Sequence, residues 1–174
     1  MTAMGNKLIL VGYMGAGKSS VGKKLAKAMK LKFIDLDEAI QSASGKSPAE
    51  WIDRHGELAF RKEERTVLLN VLHTGSFVLA TGGGTPCYYD NMELMCAHGL
   101  CIYLDAAPGF LQSRLLQSKQ NRPLIAHIQE EDLAEFIGKH LFERRAFYQK
   151  AQLTISAASV SIDELVDRID SFRP

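Results

Sequence analysis

The residues Gly12-Tyr13-Met14-Gly15-Ala16-Gly17-Lys18-Ser19 satisfy the phosphate-binding pattern G-x-x-x-x-G-K-[ST] at every specified position. Each residue type has a chemical reason. Glycines let the backbone turn its N–H groups toward an anion, and the helix that follows adds the positive end of its dipole. Lys18 is long enough to reach β- and γ-phosphates, and Ser19 offers a hydroxyl to Mg²⁺. Gly12, Gly15, Ala16, Gly17, Lys18, Ser19 and Ser20 are therefore the expected nucleotide contacts. The alternative, a glycine-rich turn with a solvated lysine, does not explain the flanking strand and helix patterns.

Further along the chain, Asp35-Leu36-Asp37 places two carboxylates on alternate residues. In an extended segment both point the same way, toward the mouth of the phosphate loop. One such carboxylate can hold the waters of a magnesium nucleotide, and the second can take a hydroxyl proton. The competing reading is that they only cap the next helix. Thr81-Gly82-Gly83-Gly84-Thr85-Pro86 exposes bare backbone that a ligand can approach closely, unless it is simply a flexible turn. Arg61, Arg114, Arg122, Arg144 and Arg145 are the candidate anion-binding side chains, because the guanidinium fork matches carboxylate and phosphate geometry. Taken singly, each also fits a solvated surface; Arg61 lies in the charged run Arg-Lys-Glu-Glu-Arg.

These residues must be positioned by something, and the hydrophobic pattern supplies it. Leu8-Ile9-Leu10-Val11 reads as a buried parallel strand and is followed by a helix over about 18–30, with Val21, Leu25, Ala28 and Met29 at helical spacing. A second strand runs to Asp35. Ser47-Pro48-Ala49-Glu50 is a capping-box helix start, and a longer helix spans about 57–73. Phe77–Ala80 is a third strand, leading straight into the three glycines. A helix near 89–97 precedes the strand 100–104, Pro108 opens another helix, and residues 117–129 read as a loop of lid length. A helix over 131–148, a strand at 153–155 and a capped helix from Ser161 complete the chain. This alternation predicts an α/β domain with ligands at the carboxyl ends of parallel strands.

Composition sets the outer bounds. A chain of 174 residues is read as one domain, 1–174, large enough to bury a core. With 21 Lys+Arg against 20 Asp+Glu, charge gives no general pull toward nucleic acid or anionic membrane. Cys87, Cys96 and Cys101 lack metal-ligand spacing and cannot all pair. Met1–Lys7 lacks the apolar segment of a secretory signal, and no apolar run nears the ~20 residues of a membrane span. A cytoplasmic, monomeric protein is expected.

The ordered set G-x-x-G-x-G-K-S, F-I-D-L-D, G-E-x-x-F-R, T-G-G-G, N-R-P-L and E-R-x-x-x-Y resembles the shikimate kinase family, across residues 7 to about 151. The resemblance implies a P-loop three-layer α/β/α fold, with a five-stranded parallel sheet of order 2-3-1-4-5 and a lid. It also implies Mg²⁺-dependent phosphorylation of the 3-hydroxyl of shikimate by ATP, in the route to chorismate and the aromatic amino acids. Position by position, Asp37 would bind substrate hydroxyls, and Asp35 with Ser19 would hold the metal. Arg61 and Arg144 would grip the substrate carboxylate, with backbone contacts from Gly82, Gly83 and Gly84. Lys18 and Arg122 would act on the transferring phosphoryl group, and Arg114 would belong to the ATP site, with adenine contacts expected from backbone and apolar groups around it and after Leu153. Residues 38–61 would be the mobile substrate-binding region and 117–130 the lid. The family's R-x-P-x-Y is here Arg144-Arg145-Ala146-Phe147-Tyr148, without the helix-ending proline. That leaves open which arginine faces the substrate.

Two other readings compete. A gluconate kinase would share the fold and phosphate loop but gives no reason for F-R together with G-G-G. A nucleotide-binding module without catalysis would be expected to lack the paired aspartates or the lid arginine, and both are present.

Overall fold

The computed structural model describes residues 6–118 and 123–172. Five parallel strands form one sheet: β1 (Lys7–Val11), β2 (Lys32–Asp35), β3 (Phe77–Ala80), β4 (Leu100–Asp105) and β5 (Leu153–Ser156), in the order β2-β3-β1-β4-β5. Register is fixed by pairs such as Ile9 with Leu79 on one side and with Cys101 on the other. Leu8, Ile9, Leu10 and Val11 are wholly buried, as are Phe77, Val78 and Leu79. A strand with both faces buried has no polar alternation, which is why these read as unbroken apolar runs. The edge strand β5 alternates instead, with Leu153 and Ile155 inward and Thr154 and Ser156 exposed.

The helices are α1 (Lys18–Met29), α2 (Leu36–Ser44), α3 (Pro48–His55), α4 (Glu57–Leu72), α5 (Asn91–His98), α6 (Pro108–Ser118), α7 (Pro123–Ala126), α8 (Glu130–Tyr148) and α9 (Ile162–Asp170). The core is made where Val67, Leu68, Val71 and Leu72 of α4, Leu111 and Leu115 of α6, and Leu133, Ile137 and Leu141 of α8 meet the sheet. The capping box at α3 is complete: Ser47 Oγ accepts from the Glu50 N–H at 3.3 Å, and Glu50 Oε2 accepts from the Ser47 N–H at 2.7 Å. Such a cap stabilises a short helix by about 1 kcal/mol, which matters because α3 has no fully buried residue. Close approach of α1 to β2 depends on Gly22, where a Cβ would stand 2.6 Å from the Phe33 ring.

Two expectations change, and the helix expected over 131–148 holds to its end. Asp35-Leu36-Asp37 is not one extended stretch, because the chain turns into α2 at Leu36 with Asp35 as its N-cap. Residues 117–129 are not a continuous loop: α6 runs through Ser118, and α7 is helical with Ile125 wholly buried. Pro123 begins α7, a position where proline's missing N–H costs nothing. Arg144–Tyr148 stays helical to the end of α8, as the absent proline permits. Arg122 lies outside the described residues.

Candidate active site

At the carboxyl end of β1 the backbone takes positive φ at Gly12 (147°), Gly15 (83°) and Gly17 (99°), conformations that side chains with a Cβ resist. Gly17 is also the N-cap of α1 and supplies no side-chain cap, so the first-turn N–H groups remain donors for an anion. Lys18 is folded over this loop and 8% exposed, its Nζ donating to Gly12 O at 2.7 Å and Tyr13 O at 3.0 Å. Ala16 is buried among core side chains, so only its backbone is available to a ligand.

The loop forms one wall of a cleft of about 580 Å³, with Gly15, Gly17, Lys18, Ser19 and Ser20 at its surface. Asp35 and Asp37 face it from the end of β2 and the start of α2, and Gly82 and Gly83 from the end of β3. Arg114, on α6, lies against the loop itself; a Cβ on Gly17 would stand 3.2 Å from its Nη1. Asp35 does two jobs. Its Oδ1 caps α2 by accepting from the Asp37 N–H at 3.0 Å, while its Oδ2 accepts from Ser19 Oγ at 2.7 Å. The capping reading thus holds for Asp35, and its second oxygen remains directed at Ser19.

The three glycines explain how the remaining residues meet. A Cβ on Gly82 would lie 3.4 Å from Asp37 Oδ1, and one on Gly83 3.5 Å from Arg144 Nη1 and 3.2 Å from the Met14 N. On Gly84 it would lie 2.5 Å from Arg61 Nη2, a contact no real Cβ makes. Each glycine is therefore the point of approach of one expected substrate residue. Asp37, Arg61 and Arg144 come from three separate helices, and bare backbone lets them converge. Arg145 goes elsewhere: its Nη2 pairs with Asp105 Oδ1 at 3.1 Å, on the exposed end of β4.

One face of α8 supports both loops. His140 Nδ1 is hydrogen-bonded to the Tyr13 hydroxyl at 2.9 Å, and the Tyr148 hydroxyl donates to Gly83 O at 2.6 Å. Arg144 lies between them at helical spacing. The sequence pattern did not reveal these supports, nor Glu64, which is 1% exposed and bridges Arg61 Nη1 (2.9 Å) to Thr85 Oγ1 (2.8 Å). Met14, Thr81, Gln117 and Ser118, which lie in the expected loops and lid but were given no individual role, also reach the cleft.

Asp37 is open to the cleft yet crowded by protein. Loss of water around it, reinforced by the carboxylates of Asp35 and Glu64, raises its pKa from 3.8 to about 6, against the pull of Lys18 and Arg61. A carboxylate poised near neutrality is suited to accepting a hydroxyl proton.

A site with anion-binding backbone, a hydroxyl–carboxylate pair and two converging guanidiniums is what a kinase for a small anionic acceptor needs. Comparison with known proteins decides which. The family model for shikimate kinase matches residues 14–172. The chain belongs to the shikimate kinase family. A shikimate kinase of Phocaeicola vulgatus is 42% identical over 96% of this chain and 96% of its own length. The crystal structure of shikimate kinase from Bacteroides thetaiotaomicron matches with a TM-score of 0.88 at 37% identity, covering 95% of this chain and 97% of that one. Shikimate kinase from Acinetobacter baumannii in complex with shikimate matches with a TM-score of 0.83 at 31% identity, over 95% and 91% of the two chains. The five-stranded order is that of the shikimate kinase P-loop fold.

Shikimate kinases use ATP as co-substrate and Mg²⁺ as cofactor, and the donor set here fits the ion. Ser19 Oγ and the Asp35 carboxylate are hard oxygen ligands held together at 2.7 Å. Among the described residues no group of three or more His, Cys, Asp or Glu could hold a metal. Magnesium bound here would complete its shell with phosphate and water oxygens, as it ordinarily does.

Proposed function

We propose that this chain transfers the γ-phosphoryl group of ATP to the 3-hydroxyl of shikimate, with the residue roles that follow. Backbone N–H groups of 15–19 and Lys18 hold the β- and γ-phosphates, with Gly12, Ser20 and Arg114 completing the nucleotide site. Ser19, with Asp35 acting mainly through water, would hold Mg²⁺, which would supply charge neutralisation at the phosphates. Asp37 orients the acceptor hydroxyl and accepts its proton. Arg61 and Arg144 take the substrate carboxylate, and Gly82, Gly83 and Gly84 provide the backbone against which it lies. Arg122, assigned from its N-R-P-L motif, meets the transferring group as residues 117–130 close and water is excluded, since water is a competing acceptor. In such a reaction positioning and charge stabilisation supply nearly all the catalysis.

The observation that carries this reading is the convergence of Asp37, Arg144 and Arg61 on three consecutive glycines beside the phosphate loop. It supplies hydroxyl and carboxylate recognition at one place, which a nucleotide-binding module does not need. We further propose that residues 1–174 form one domain with a mobile substrate region over 38–61. A monomer in the cytoplasm is proposed with it, and the net charge of +1 gives no general pull toward nucleic acid or anionic membrane. No described helix is long and apolar enough to cross a membrane.

A coupled ADP-release assay tests the reading with shikimate, gluconate or no acceptor. Turnover is expected with shikimate alone. Turnover with gluconate and none with shikimate would overturn the substrate assignment, and no acceptor-dependent turnover would favour the non-catalytic module.

A further inference from the structure

Arg61 is held on several sides, and the holding groups differ in how firmly they are fixed. Its Nη1 donates to Glu64 Oε1 at 2.9 Å, and its Nη2 donates to Glu57 Oε1 at 3.2 Å. Its guanidinium carbon lies 4.1 Å from the centre of the Tyr88 ring. The Nε is buried and has no hydrogen-bond partner. Both terminal nitrogens are thus engaged by protein while one buried N–H remains unspent, a costly arrangement unless that donor has a use.

Glu64 is locked by its burial and its bond to Thr85. Glu57 is not: its side chain is 51% exposed in the first turn of α4. What keeps it on Arg61 is the Tyr88 hydroxyl, which donates to the same Oε1 at 2.6 Å. Tyr88 is itself fixed by the chain after it. Tyr89 takes φ 52°, rare for a residue with a side chain, and lies under Arg65 at 5.4 Å. Arg65 also binds Asp90 Oδ1 at 2.6 Å and Asn91 Oδ1 at 2.7 Å. Two successive tyrosines therefore face two arginines one turn apart on α4. Strain held in place by neighbouring contacts commonly marks a site where orientation matters.

We propose that Tyr88 is a positioning residue that sets how tightly the site takes a carboxylate substrate. Its ring covers the guanidinium plane of Arg61, and its hydroxyl holds Glu57 on Nη2. This rests on the reading that Arg61 grips the substrate carboxylate. A flexible arginine loses rotamer freedom on binding; here that loss is met in folding, before any carboxylate arrives.

The test is steady-state kinetics on Tyr88→Phe, which keeps the ring and removes the hydroxyl, and Tyr88→Leu, which removes both. KM for shikimate should rise about threefold in Tyr88→Phe and about tenfold in Tyr88→Leu, as expected of a support one contact removed from the ligand. KM for ATP, kcat at saturating shikimate and the melting temperature should stay near wild type. Because the hydroxyl acts through Glu57, Tyr88→Phe should have no further effect in a Glu57→Ala background. Unchanged KM for shikimate in both tyrosine variants, or parallel loss in kcat, both KM values and melting temperature, would overturn the proposal. Arg61→Lys separates the two levels. If it raises KM for shikimate while the tyrosine variants do not, only the role of Tyr88 falls; if it leaves KM unchanged, the reading of Arg61 falls with it.

Discussion

Arg61 illustrates what a residue's neighbours do to its chemistry. Its side chain is 10% exposed, and Glu64 beside it is 1% exposed, so the cost of burying the guanidinium is offset by an ion pair that cannot wander. Replacing it with lysine keeps the charge but loses the planar fork. Arg61→Lys should raise KM for shikimate by the equivalent of about 1.5–3 kcal/mol, the range for hydrogen bonds to charged groups, with KM for ATP little changed. Asp37 offers a second test through pH. With its pKa raised to about 6, kcat/KM should fall as pH drops through about 6, well above the ordinary carboxylate range. The sign for stability is opposite: between 3.8 and about 6 the native state binds more protons than the unfolded chain, so this group's contribution weakens as pH rises. Asp37→Asn should abolish turnover yet melt no lower than wild type at pH 7. Arg61 and Asp37 were legible as candidates because each sits in a motif. Glu64 was not, since in Arg-Lys-Glu-Glu-Arg it looks like any solvated carboxylate. Its burial is decided by Thr85, from a loop distant in the chain.

At the scale of elements, the glycine loop does the gathering, and this is also where the sequence spoke most clearly. Three glycines at a strand's carboxyl end announce a close backbone approach, although not by what. The structure supplies the partners, and with them a prediction. Gly84→Ala would put a Cβ 2.5 Å from Arg61 Nη2 and 2.9 Å from its Cζ. Arg61 has little room to yield, being held by Glu64 and Tyr88. KM for shikimate should rise by about tenfold or more, roughly the 1.4 kcal/mol of one displaced contact, while KM for ATP holds. Gly75→Ala, where a Cβ would meet nothing within 4 Å, is the control and should leave both values unchanged. Equal behaviour of the two variants would remove the steric argument. Other elements were harder to read. The helix after Asp35 entered only as the competing reading, because its capping aspartate also ends a strand, and α7 was missed because four residues carry no measurable period.

For the whole molecule, the alternation of strands and helices was enough to forecast a parallel α/β sheet, because doubly buried strands and amphipathic helices leave different hydrophobic periods. The strand order came from resemblance, and the observed β2-β3-β1-β4-β5 agrees with it. Order matters for function. With β1 between β3 and β4, the phosphate loop and the glycine loop emerge side by side, at the carboxyl ends where ligands bind in such sheets. The α8 contacts to Tyr13 and Gly83 then tie the two loops to one rigid element. Nothing local in the sequence announces such ties, since they join residues 65 or more positions apart.

The central claim is that one substrate lies against the three glycines with its carboxylate and its hydroxyls recognised from different helices. A crystal structure of the protein with ADP, Mg²⁺ and shikimate bound measures this directly. The shikimate carboxylate should lie within hydrogen-bonding distance of Arg61 and Arg144, and a ring hydroxyl on Asp37. The diphosphate should lie on the backbone of residues 15–19. Shikimate bound with its carboxylate away from both arginines, or with Asp37 out of reach of every hydroxyl, would contradict that claim.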